Sequence, residues 1–311
     1  MQTDVSLRSD VAVGGKAQRA KKLRRYDWPW VLLFLGPNLA LFLVFMAFPV
    51  FYGLYMSFFK WNIIGTPHFI GFTNYVHFFH DPLTSQLARN SLSYLFGSAI
   101  PIVGLSLLSA ILLNSVTRFT SFWRGIYFLP LVTSPVAAAA VWRWLYAKDN
   151  GLVNYLVTRF GVSPHDWLYN TTWAMPSLIL VTIWMALPFN TILYLAGLQE
   201  IPRDLYEAAE IDGASGWQQF RSITIPLITP TTFFVVLTTI VHVLFGSFDI
   251  VNVMTQGGPL NATNTFIYNI YQNAFQFFQF GYASAQSYLL FLVVFIFTLV
   301  NWRVQRKWVH Y

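Results

Sequence analysis

The 311-residue sequence contains no cysteine. That excludes disulfides, thiolate metal ligands and a thiol nucleophile. Charge is scarce: Asp, Glu, Lys and Arg make up 10% of the residues, against about 25% in an average soluble domain. No Gly-x-x-x-x-Gly-Lys-Ser/Thr run occurs anywhere, so this chain has no such loop with which to cradle ATP phosphates. There is no strong internal repeat, and the first 26 residues show no signal-peptide cleavage pattern. What is abundant is apolar: 56% of the residues are hydrophobic and 19% aromatic. These are the proportions of an integral membrane protein. The formal net charge of +7 does not mark a nucleic-acid binder, because the positive charges sit in the N-terminal tail and at loop edges of an otherwise apolar chain.

Six apolar segments are long enough to cross a bilayer: Trp30 to Phe51, Ser91 to Leu113, Ile126 to Leu145, Trp173 to Leu198, Leu227 to Met254 and Tyr288 to Trp302. Pro37, Pro49, Pro130, Pro135 and Pro188 fall inside them and mark kinks, since proline removes a backbone donor. The expected fold is therefore an all-α membrane protein. Residues 1–26 form a basic tail, 27–303 the transmembrane domain and 304–311 a short C-terminal tail. With six spans both termini share a side. If that side is the cytoplasm, fourteen of the 19 Lys and Arg residues lie inside, and Lys60, Arg89, Arg143, Lys148 and Arg159 lie outside. That asymmetry follows the positive-inside rule. It places both termini and the polar stretch Pro202 to Pro226 in the cytoplasm, and lets the basic tail touch anionic lipid.

Pro202 to Pro226 mixes several acids with small residues between two apolar segments. Pro202 and Asp204 suit a helix start and Gly213 a helix stop. Leu205, Ala208, Ala209 and Asp212 fall on one face at helical spacing. Ser215, with Gln218 three residues on, reads as the capping box of a second short helix. Two short helices joined by a tight bend should lie across the membrane face, where Glu207 and Asp212 offer charge to a partner. From these residues alone a solvated connecting loop is an equally good account.

The order Glu207-Ala208-Ala209, Asp212-Gly213-Ala214, eight residues, then Ile223-x-Ile225-Pro226 resembles the EAA loop of bacterial ABC-importer permeases, with Ile225 where that family usually has leucine. A second set of residues is similar to the carbohydrate-uptake branch, the maltose and glycerol-3-phosphate type with its F-type permeases. It comprises Thr255-Gln256-Gly257-Gly258-Pro259, Asn264-Thr265, Ile270-Tyr271, Ala274-Phe275, the run Phe280 to Ala285, and Phe122-x-Arg124-x-x-x-Phe128-Leu129-Pro130. The resemblance implies a multi-pass subunit of the bacterial inner membrane, one half of a translocation pore. It implies a second homologous permease, two ABC ATPase subunits that use ATP and Mg, an extracytoplasmic solute-binding protein and a sugar-like solute. The chain itself would bind no cofactor or metal and catalyse no reaction. Glu207, Ala208, Ala209, Asp212, Gly213 and Ala214 would form the coupling helix that docks on an ATPase.

By the same resemblance the fourth and fifth spans would line the solute path. Thr182, Met185, Ala186 and Phe189 share one helical face, and Ile240, Val243, Leu244 and Ser247 another. Phe189 could stack on a pyranose, and Thr182 and Ser247 could bond hydroxyls. Asp249 is the one acid inside an expected span, and His242 lies seven residues before it on the same face. Ionisable groups at that depth usually face a cavity or a partner. For these two, a hydrogen-bonded structural pair, or an Asp249 near the outer interface, is preferred to a role as path liners.

Two rivals remain. Gly213-Ala214-Ser215-Gly216 matches the Gly-x-Ser-Gly of rhomboid-type intramembrane proteases, but Gln218, Gln219 and Arg221 follow at once and Ser215 is better used as a cap. A secondary sugar carrier would show repeated halves and more intramembrane charge. The topology is open to direct measurement. In a chain without cysteine, Ala214→Cys introduces a unique thiol. A membrane-impermeant maleimide should label it in inside-out vesicles and not in intact cells; labelling from outside would overturn the arrangement.

Overall fold

The structure is a computed structural model that describes residues 28–63, 65–115 and 125–308. The basic tail (1–26), Arg118, Phe122 and Arg124 lie outside the described residues. The chain divides after Met56 into two compact units. The described part of the first unit is one span: α1 (Trp28–Phe42), a π turn (Leu43–Ala47) and α2 (Phe48–Met56). The wide turn falls just before Pro49, whose nitrogen has no hydrogen to return to residue 45.

The second unit opens with a short antiparallel pair, β1 (Phe59–Lys60) and β2 (His68–Phe69), followed by α3 (Thr73–His80). Three long helices form its core: α4 (Pro82–Ser115), α7 (Ala174–Gln199) and α10 (Thr229–Met254). Between α4 and α7 run a broken span and α6 (Leu152–Arg159). The broken span consists of Gly125–Val132 and α5 (Pro135–Leu145), which meet at 109°. A single third span was expected from sequence. The break follows from its prolines: Thr133 and Ser134 are forced extended ahead of Pro135, which then occupies the first turn of α5. After α10 come α11 (Phe266–Tyr271) and α12 (Phe280–Trp308), which begins eight residues before the expected Tyr288. Among the described residues, five helices are long and apolar enough to cross a membrane, or six if the bent pair is one span.

Tyr94, Ile102, Leu178, Val181, Val243 and Val251 make the main buried cluster where α4, α7 and α10 meet. A second cluster, Ala110, Tyr194, Ile228 and Val235, lies toward the end of α7 that leads to α8. Polar side chains stitch the same helices. Tyr94 Oη and Thr182 Oγ1 are 2.5 Å apart, and Thr239 Oγ1 donates to Asn190 Oδ1 at 3.1 Å. Tyr127 Oη and Thr191 Oγ1 are 2.8 Å apart.

At the opposite end, buried amides take over. Asn90 Nδ2 donates to the carbonyls of Asn261 and Asn264 at 2.7 and 2.9 Å. Asn269, Asn273 and Gln286 close a side-chain triad with each bond at 2.9 Å. The Gly257-Gly258-Pro259 turn seats this end: Gly257 has φ +79, and a Cβ there would press on Tyr268 at 3.1 Å.

Gly281, at the start of α12, is packed so closely that a Cβ would lie 1.8 Å from the Phe59 carbonyl oxygen. Gly281→Ala should therefore displace β1 from α12 and cost about 1–3 kcal/mol. Thermal melting of the purified protein would show a lower midpoint, while Gly104→Ala, which meets nothing within 4 Å, should melt as the parent does.

Candidate functional site

The polar stretch between α7 and α10 folds as two short helices. The first, α8 (Arg203–Ile211), follows Pro202 and has Asp204 in its first turn, where a carboxylate complements the helix dipole. It ends in a Schellman motif: Gly213 N donates to the Glu210 carbonyl at 3.0 Å and Ala214 N to the Ala209 carbonyl at 2.9 Å. Gly213 takes φ +77, a conformation costly for a residue with a Cβ. Ser215 then caps α9 (Gly216–Gln219). Its Oγ accepts from Gln218 N at 3.4 Å, and its own N donates to Gln218 Oε1 at 2.7 Å. The capping box legible in the sequence is thus present, and Ser215 Oγ is engaged in it.

Two contacts brace this bridge and the helix ends beside it. Tyr206 Oη meets Thr224 Oγ1 at 2.8 Å, joining α8 to the π turn Phe220–Thr224 that precedes Pro226. At its base α7 and α10 nearly touch, since a Cβ on Gly197 would lie 2.4 Å from Thr231 Oγ1. The outer surface of the bridge is apolar as well as charged. Ile211 is 87% exposed and Trp217 69%, and Glu207, Ala208, Asp212 and Gly213 are exposed. Ala209 and Ala214 are half-buried. Trp217 stacks loosely on Phe220, with ring centroids 5.5 Å apart. The run of acids drew attention to Glu207 and Asp212; Ile211 and Trp217 add the apolar patch beside them.

Farther along the helices, a cavity of about 250 Å³ opens between the bent span (Thr133, Pro135), α7 (Thr182, Met185) and α10 (His242, Gly246, Asp249). Among the described residues, neither His242 nor Asp249 has a hydrogen-bond partner. The structure thus brings Thr182, Met185, His242 and Asp249 to one wall. A bonded pair, or an Asp249 near the outer interface, was expected for the last two; the pair is not bonded, and both side chains line the cavity. Thr182 Oγ1 donates to the Leu178 carbonyl at 2.9 Å, so its contact with Tyr94 is one in which the phenol donates.

The other expected liners fall elsewhere. Ala186 and Val243 are buried in the core, and Phe189, two turns beyond Thr182 on α7, is exposed and does not line the cavity. Leu244 and Ser247 line a separate space of about 10 Å³ against Ser91 and Leu290, and Ser247 Oγ donates to the Leu244 carbonyl at 2.8 Å. On α10 the cavity face runs through His242, Gly246 and Asp249, one residue out of phase with the Val243–Ser247 stripe. The bend of the third span moves that face. Sequence spacing shows which residues share a stripe, and it does not show which stripe a broken neighbour exposes.

Comparison with known proteins gives consistent results. Residues 93–309 match the family described as binding-protein-dependent transport system inner membrane component. A probable ABC transporter permease protein of Pyrococcus horikoshii is 35% identical over 279 residues, covering 89% of this chain and 95% of its own. The sn-glycerol-3-phosphate transport system permease protein UgpA of Agrobacterium fabrum is 31% identical over 280 residues, covering 90% and 95%. Among solved structures, a bacterial ABC transporter involved in import of the acidic polysaccharide alginate is similar. Its complex with an alginate pentasaccharide-bound periplasmic protein gives a TM-score of 0.81 at 26% identity over 92% of this chain and 96% of that one. The chain belongs to the family of inner membrane components of binding-protein-dependent transport systems, the permease subunits of ABC importers.

Proposed function

We propose that this chain is one half of the translocation pore of an ATP-driven importer for a sugar or sugar-like solute, whether oligosaccharide, glucosylated polyol or glycerol phosphate. The observation that carries the reading is the bridge of α8 and α9. It is exposed, internally capped, and continuous at both ends with the helices that wall the cavity. In this reading it is the coupling helix, with both chain termini on its cytoplasmic side. Glu207, Ala208, Ala209, Asp212, Gly213 and Ala214 meet an ATPase subunit, Glu207 pairs with a basic group there, and Ile211 and Trp217 fill an apolar cleft. ATP and Mg act on two such ATPase subunits and not on this chain. A second permease completes the pore, and an extracytoplasmic binding protein delivers the solute.

Closure of the ATPases on ATP displaces the bridge, and Tyr206–Thr224 and the Gly197–Thr231 contact pass that displacement to α7 and α10. The two orientations of the pore differ in their affinity for nucleotide and solute, which is what allows either to drive the change. Thr182, Met185 and Asp249, with His242, line the path. Ala186, Val243, Leu244, Ser247 and Phe189 act on it through packing.

Gly213 supplies a sharp test. A Cβ built there meets no atom of this chain within 4 Å but is strained at φ +77, so Gly213→Ala, which carries the same strain without the bulk, is the control for Gly213→Arg, which also obstructs what docks there. Gly213→Arg and Glu207→Lys should insert into the membrane at parental levels. Each should lower solute-stimulated ATP hydrolysis by the assembled complex by roughly tenfold or more, the loss of one well-buried interface contact. A variant complex that co-purifies and hydrolyses ATP as the parent does would refute the docking role.

A further inference from the structure

Resting on the importer reading above, we propose that Asp249 makes the cavity selective for uncharged, polyhydroxylated solutes and turns anionic ones away. Its wall carries a carboxylate at Asp249 and an imidazole at His242, and among the described residues no lysine or arginine lines it. The cation at that end of α10, Arg143, is outside the lining: its Nη1 donates to the Val253 carbonyl at 3.2 Å, one turn beyond Asp249.

The wall's hydrogen-bonding capacity is matched to hydroxyl groups. An aspartate carboxylate only accepts, and a neutral imidazole both accepts and donates. With Tyr94 donating to Thr182 and Thr182 donating to the Leu178 carbonyl, the groups left open at the cavity are the acceptor oxygens of Asp249 and the His242 ring. A sugar hydroxyl donates to the first and bonds the second in either sense. A phosphate or uronate group instead brings acceptor oxygens and a like charge to the same place. For a unit anion about 5 Å from the carboxylate, at an effective dielectric constant of about 20, Coulomb repulsion alone disfavours entry by roughly a hundredfold or more.

The solute class proposed here differs from the solutes for which relatives of similar sequence and fold are named. Those relatives are named for sn-glycerol-3-phosphate and for an acidic polysaccharide, and both solutes are anions. The inference narrows the solute class to neutral sugars and polyols and assigns the discrimination to one side chain.

The absence of cysteine makes the test direct. Met185→Cys puts a single thiol of this chain on the cavity wall. Its alkylation by N-ethylmaleimide is timed in the assembled complex, with and without a neutral trisaccharide (maltotriose), glycerol phosphate or a uronate trisaccharide. The neutral sugar should slow labelling at concentrations where the two anions do not. Adding Asp249→Asn should narrow that difference by roughly tenfold or more, with protection by the neutral sugar retained. ATP-dependent uptake by the same vesicles is measured in parallel. Equal protection by neutral and anionic solutes, or no change on Asp249→Asn, overturns the assignment of Asp249 while uptake leaves the importer reading standing. Absence of ATP-dependent uptake for every solute overturns the importer reading itself.

Discussion

In hydrocarbon a polar group has no water to turn to, so each must find its partner within the protein. Three side chains of helix α7 show how the constraint is met. Thr182, Asn190 and Thr191 each bond the carbonyl four residues back, at 2.8 to 3.0 Å, and each also reaches a neighbouring element. Thr182 meets Tyr94 of α4, Asn190 accepts from Thr239 of α10, and Thr191 meets Tyr127 of the broken span. Bonds of this kind are worth only about 0.6 kcal/mol on average in a membrane protein. Their effect is therefore to set register more than to supply stability. They fix how α4, α7 and α10 are rotated, and rotation decides which side chains face the cavity.

Composition and charge placement made the membrane class legible, and turn chemistry made the bridge legible residue by residue. Pro202, Gly213 and the Ser215–Gln218 pair act within a few residues of themselves, so their consequences can be read locally. The broken span and the cavity could not be read that way. Pro130 and Pro135 announce a kink, and nothing nearby in the sequence says that it reaches 109°. The face of α10 that carries His242, Gly246 and Asp249 is set by that bend. The short helices of the loops, α3 and α6, are likewise settled by tertiary contact: Asn154, buried within α6, bonds the carbonyls of Lys148 and His165 and the indole of Trp167. No periodic pattern encodes such an anchor.

The two ends of the bundle are held by different chemistry. At the Gly257-Gly258-Pro259 end, amides form a closed and buried set in which Asn90, Asn269, Asn273 and Gln286 bridge α4, α11 and α12. At the bridge end the ties are sparser: one tyrosine–threonine bond, one glycine-mediated approach, and a wide π turn ahead of Pro226. Opening at the first end means abandoning several buried hydrogen bonds together, each costly to leave unmade. At the second end a few contacts shift. The fold thus concentrates compliance beside the exposed bridge and stiffness at the opposite end.

The near-contact of Gly197 with Thr231 has a mechanical corollary. It lies two residues from the end of α7 and two from the start of α10, so both helices extend far to one side of it and hardly at all to the other. From Thr231 to Asp249 is 18 residues, about 27 Å at 1.5 Å per residue. Eight residues, or about 12 Å, beyond Thr231 the two rods are clasped again where Thr239 meets Asn190, so a push at their tips reaches the far portion through a pair travelling as one piece.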